Sequence, residues 1–173
     1  MSKAETYEDF FEENVKKINI ICGRIIGLVI IVPILLTICV KLKFFYMPID
    51  WLALFSCFII PYAITQNIII RKCKNQKFNT YFTLFGLEIL VAFLGSNGYV
   101  NIYISCALIP FISCLYFNRK LSNMVTIFSY FGMLVSLWIK SQVAYQTVND
   151  SPNPTHYCIA YGLGFTTEYI FVF

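Results

Sequence analysis

The chain has 173 residues, 58% of them hydrophobic and 18% aromatic, with only 13% charged, where a water-soluble domain carries about 25% charged residues. That balance excludes one soluble core of this size and reads as an integral membrane domain, a single unit with no second domain attached. The net charge of +4 gathers in connections on one side, so it reports orientation, and nucleic-acid binding is not expected.

The opening segment, residues 1–19, is polar and acidic, with Glu5, Glu8, Asp9, Glu12 and Glu13. A secretory signal would open on a basic segment, a short apolar run and a small-residue cleavage site, so the first apolar run is expected to remain as an anchor. Phe10, Phe11, Val15 and Ile18 recur at helical spacing, with Lys16 and Lys17 close to the first apolar run. They predict a short amphipathic helix on the cytoplasmic surface; a disordered tail is the competing reading.

Six apolar runs follow, residues 20–173 forming the membrane domain. The expected spans are 20–40, 49–70, 78–94, 99–117, 121–139 and 155–173, each near the roughly 20 residues that the hydrocarbon core requires. Arg24 can snorkel from the inner end of the first span, and Pro33 should kink it. Lys41 and Lys43 follow, then an aromatic belt of Phe44, Phe45 and Tyr46. Asp50 and Trp51 open the second span, which carries Pro61, and the densest basic cluster, Arg71 to Lys77, closes it. The third span holds Glu88 and ends in the tight turn Gly95-Ser96-Asn97-Gly98. The fourth span, with Pro110, and the fifth are joined by Asn118-Arg119-Lys120, a connection short enough to demand a helical hairpin. Lys140 to His156 forms the longest outer loop. The sixth span is still apolar at Phe173, and the native product is expected to continue beyond it.

Short loops rich in Lys and Arg stay cytoplasmic. Ten of the 13 basic residues fall on the side of Arg71 and Arg119, and Lys41, Lys43 and Lys140 fall on the other. The N-terminus and the C-terminus are therefore both expected inside. The seven cysteines lie mostly in apolar runs and form no Cys-x-x-Cys pair, so they read as small packing residues, with no disulfide framework and no metal site.

Glu88 is the candidate ligand or proton site, because a carboxyl deep in an apolar run costs about 2.5–3.5 kcal/mol on insertion scales and usually faces a bundle interior. The bland reading is a carboxyl bonded to a neighbouring helix. Glu168, beside Thr166 and Thr167, is a second candidate. His156, the single histidine, is a third. Gly86 and Gly162-Leu163-Gly164 are expected to allow close helix packing. No triad, His-Glu-x-x-His, phosphate loop or paired-carboxylate pattern occurs, so no catalytic residue, metal or cofactor is expected, and the chain is not expected to be an enzyme.

The stretches Phe10–Asn19 (FFEENVKKIN), Gly95–Tyr103 (GSNGYVNIY), Ile109–Lys120 (IPFISCLYFNRK) and Tyr161–Phe173 (YGLGFTTEYIFVF) resemble the N-terminal multi-span membrane sensor region of clostridial-type signalling proteins. In those proteins a diguanylate cyclase, histidine kinase or chemoreceptor-type output follows the last helix. The resemblance implies an all-α six-transmembrane-helix bundle in the cell membrane, acting as the sensory or anchoring region of a bacterial signalling protein, here without its output domain. Its partners would be the lipid bilayer and a cytoplasmic output domain or partner protein, with a homo-oligomer compatible. The alternative is a small substrate-binding subunit of a membrane transporter, which should gather polar groups at the bilayer midplane; a passive anchor is the third reading.

Overall fold

The computed structural model describes residues 3–44, 47–98, 104–147 and 153–172, with the side chains of 3–9, 104, 147, 168, 171 and 172 outside the description. The described residues are helical, with no strand among them. In chain order the helices are α1 (Lys3–Val29), α2 (Ile31–Lys41), α3 (Ile49–Lys72), α4 (Gln76–Gly95), α5 (Ile104–Cys114), α6 (Arg119–Ala144) and α7 (Pro154–Val172), with a 3₁₀ turn at Tyr145–Thr147. The chain divides into two compact units at Gly86/Leu87, a point inside α4.

The first expected span is drawn from two helices, and Pro33 explains the break. A proline cannot donate to the carbonyl four residues earlier and its ring crowds that carbonyl. For Pro33 that residue is Val29, where α1 ends. Ile30 keeps right-handed helical angles, so the interruption is a kink rather than a turn. The expected amphipathic helix and the first span are continuous, since α1 already begins at Lys3. Exposed Glu13 and Lys17 pair at 2.8 Å across one turn.

In the first unit, α1 and α3 run antiparallel. Gly23 lies under the Ile70 side chain and Gly27 beside Asn67. Tyr62 of α3 donates from its hydroxyl to the Thr83 carbonyl of α4 at 2.9 Å, and its ring lies against Gly86, where a Cβ would overlap it.

In the second unit, α5 and α7 both run antiparallel to α6. Cys114 meets Ser122 near one end of the α5–α6 pair and Cys106 meets Ser129 further along. Tyr130 reaches Thr166, and Leu137 reaches Gly162. The C-terminal half of α4 runs parallel to α6, Glu88 beside Gly132 and the Ala92 carbonyl bonded by Ser136. The buried centre of this unit is Cys106, Met133, Leu137, Ala144, Tyr157 and Tyr169.

The α5–α6 connection differs in detail from the expected basic turn. It is made by Leu115–Phe117, and Asn118 caps α6, its Oδ1 accepting from the Leu121 N–H at 3.1 Å. Arg119 and Lys120 thus occupy the first turn of α6. Cations are disfavoured at a helix N-terminus, so local helix stability is no reason for them to be there.

Of the six expected spans, four correspond to helices long and apolar enough to cross a membrane: Phe10–Lys41 through its kink, Ile49–Lys72, Gln76–Gly95 and Arg119–Ala144. The fourth expected span, 99–117, is represented by the shorter α5, and residues 99–103 lie outside the description. The sixth, 155–173, corresponds to α7. Large apolar side chains such as Ile34, Phe58, Ile89, Phe131 and Leu163 point outward, as lipid-facing surfaces require. These features fit a membrane location.

Candidate functional site

Glu88 is buried in the second unit with only 1% of its surface exposed. Neither of its carboxyl oxygens has a hydrogen-bond partner. Its Oε1 rests on the α6 backbone, where a Cβ added to Gly132 would lie 3.2 Å from it. Any larger residue there would press on the carboxyl, so Gly132 is what lets α4 and α6 close around it. Cys106 of α5, Ser129 of α6 and Tyr169 of α7 border the same carboxyl.

The sequence explains why Ser129 does not satisfy Glu88. Pro110 lacks an N–H, so the Cys106 carbonyl, four residues earlier in α5, has no intrahelical donor. Ser129 crosses from α6 and donates to that carbonyl at 2.5 Å. Its single hydroxyl proton is thereby used, and the Glu88 oxygens are left without it. A serine hydroxyl repairing a proline-freed carbonyl is the usual way a membrane helix tolerates proline. Here the repair brings a hydroxyl oxygen and a backbone carbonyl together beside the carboxyl.

The polar stripe continues along α6. Ser136 donates to the Ala92 carbonyl at 2.6 Å, and Lys140 is buried, with 2% exposure. Lys140 therefore does not begin an outer loop: α6 continues through it to Ala144. Ser129, Gly132, Ser136 and Lys140 recur at spacings of three and four, so the stripe is readable in the sequence as small and polar residues on one helical face.

His156 is not brought into contact with Glu88. His156 is exposed near the start of α7, where its backbone N–H donates to Asn153 Oδ1 at 2.8 Å. It stands about 20 Å along the helix from Tyr169 by helical rise. Glu168 is a helical position of α7, and its side chain lies outside the described residues. Of the glycines expected to allow close packing, Gly86 contacts Tyr62, Gly162 touches Leu137 at ordinary distance, and Gly164 has nothing within 4 Å.

A second polar group occupies the first unit and was not singled out from the sequence. Asn19 of α1 donates to the Gln76 side chain at 3.1 Å and accepts from Thr80 at 3.2 Å. Gln66 donates from Nε2 to Thr83, which itself donates to the Asn79 carbonyl at 2.7 Å. Gln66 is fully buried, and its Oε1 has no partner. The signal was present as Gln66 in α3 and Asn79, Thr80 and Thr83 in α4, which recur at helical spacing. Their position beside the basic cluster makes them read as an ordinary water-facing helix end.

Among the described residues no three His, Cys, Asp or Glu side chains come together as a metal would require. No family model, curated protein or solved structure matches the chain.

Proposed function

We propose that the chain is a multi-pass sensory or anchoring domain of a bacterial signalling protein. It has six spans, with both termini on the cytoplasmic side, and Glu88 as the site that responds. Binding or release at Glu88 alters the packing of α7 on α6, and α7 passes the change to a cytoplasmic output domain or partner protein. The observation that carries this reading is the partnerless Glu88 carboxyl, at 1% exposure, among α5, α6 and α7. A buried polar group left unsatisfied costs about 1–3 kcal/mol, and such a cost persists where the group has a use. Helix reversal supports the even number of spans, because α3 opposes α1 in one unit and α5 and α7 oppose α6 in the other.

The transporter reading has one observation in its favour. Glu88, Ser129 and the proline-freed Cys106 carbonyl converge, as ion-coupled carriers arrange theirs. Uptake by sealed vesicles containing the purified chain would favour that reading.

The test of the sensory reading uses the chain in lipid nanodiscs. Hydrogen exchange of α7 is compared in acidic and neutral buffer, corrected for intrinsic rates, for the parent, Glu88→Gln and Glu88→Leu. The expected result is that Glu88→Gln folds like the parent but loses the difference in α7 protection. If the parent has no such difference and both variants match it, Glu88 is not the responding group and the reading fails.

A further inference from the structure

The geometry points to a monovalent alkali-cation site formed by the Glu88 carboxylate, the Ser129 hydroxyl oxygen and the Cys106 backbone carbonyl. This deepens the proposed function and rests on Glu88 being its responding group. The argument begins with what each atom still lacks. The Ser129 proton is committed to the Cys106 carbonyl, so toward its other neighbours that hydroxyl acts only as an acceptor. The Cys106 carbonyl receives no helical N–H because of Pro110, and of its two lone pairs the Ser129 hydroxyl takes one and leaves the other. Both Glu88 oxygens are without partners. The cluster holds four acceptor oxygens, two on Glu88 and one each on Ser129 and Cys106, against two further donors, the Tyr169 hydroxyl and the weak Cys106 thiol, and a cation meets that excess of acceptors.

Charge decides the class of cation. A carboxylate and a monovalent ion together are neutral, which a bilayer interior tolerates. A divalent ion would leave a net charge there, at a cost of several kcal/mol for an uncompensated buried ion. The donor set is all oxygen, which suits a hard ion and not a thiophilic one. Lys140, the other buried charge-bearing side chain among the described residues of this unit, is eight residues further along α6. Helical rise puts it about 12 Å from Gly132, too far to be the direct partner of the carboxyl. Freed helical carbonyls serve membrane proteins as sodium ligands. Glycine at 132 matters because a methyl group there would approach Oε1 to 3.2 Å and narrow the space beside the carboxyl.

The probe is sodium chloride against choline chloride, at equal ionic strength and constant pH, with the purified chain in nanodiscs. Thermal unfolding is followed by the intrinsic fluorescence of Trp51 and Trp138, and sodium binding by broadening of the ²³Na resonance. Sodium, and not choline, should raise the midpoint of the parent. Glu88→Gln should keep the fold and weaken sodium binding on the order of tenfold or more, one such factor being about 1.4 kcal/mol. Gly132→Ala, which keeps every ligand, should weaken it as well. Equal effects of sodium and choline, or sodium broadening that Glu88→Gln leaves intact, would overturn the proposal. If the parent lacks a sodium effect but retains its acid–neutral difference at α7, the cation is wrong and Glu88 remains a proton site. If it lacks both, the functional reading falls with it.

Discussion

At the scale of single residues, Glu88 and Ser129 show how one missing proton donor shapes a site. Ser129→Ala should leave the Cys106 carbonyl with neither a helical nor a serine donor. Membrane-protein hydrogen bonds average about 0.6 kcal/mol in double-mutant cycles, and a stranded buried carbonyl costs about 1–3 kcal/mol. A loss near 1 kcal/mol is therefore expected in reversible unfolding. Restoring the N–H with Pro110→Ala in the same chain should recover most of it. Phe117 is a separate case. It lies just past α5 at φ 50° with its side chain exposed, and left-handed backbone costs a non-glycine residue about 1–2 kcal/mol. Phe117→Gly should raise the unfolding midpoint, and a fall would mean that the exposed ring contributes more than the strain removes. Glu88 stands out in the sequence as an acid within an apolar run. Its confinement by Gly132 does not, because that depends on which face of α6 turns toward α4.

At the scale of elements, prolines and glycines decide where helices bend and how closely they approach. Pro33 is legible from sequence because its effect is local: it ends α1 four residues upstream at Val29. Pro61 differs, since α3 continues through it. The consequence of Pro110 was not legible, because the freed carbonyl is repaired from another helix. The same distinction explains Lys140. A lysine after an apolar run reads as a boundary, yet α6 extends past it with Lys140 buried, and only tertiary packing makes that tolerable. Gly86 gives a direct test of close approach. Gly86→Ala forces a methyl into the Tyr62 ring, and overpacking of this kind costs about 1–3 kcal/mol. The double variant with Tyr62→Leu should recover part of that loss, since contacting residues are energetically coupled. Additive losses in the two single variants would show that the two residues do not press on each other.

At the scale of the whole chain, composition alone indicates a membrane domain, because 13% charged residues cannot give a water-facing surface. Four helices with lengths and hydropathies suited to crossing a membrane agree with it. Orientation rests on the basic residues. Arg119 and Lys120 sit at the N-terminus of α6 against its dipole, which is understandable if their task is to hold that end in the cytoplasm. Lys41 and Lys43 argue mildly the other way. The decisive measurement is labelling of single cysteines, introduced into a cysteine-free chain at positions 43, 75, 119 and 150, with a membrane-impermeant thiol reagent. In intact cells, positions 43 and 150 should react, while 75 and 119 should react only after permeabilisation. Reaction at 75 or 119 in intact cells would contradict the topology, and with it the placing of a cytoplasmic output beyond α7.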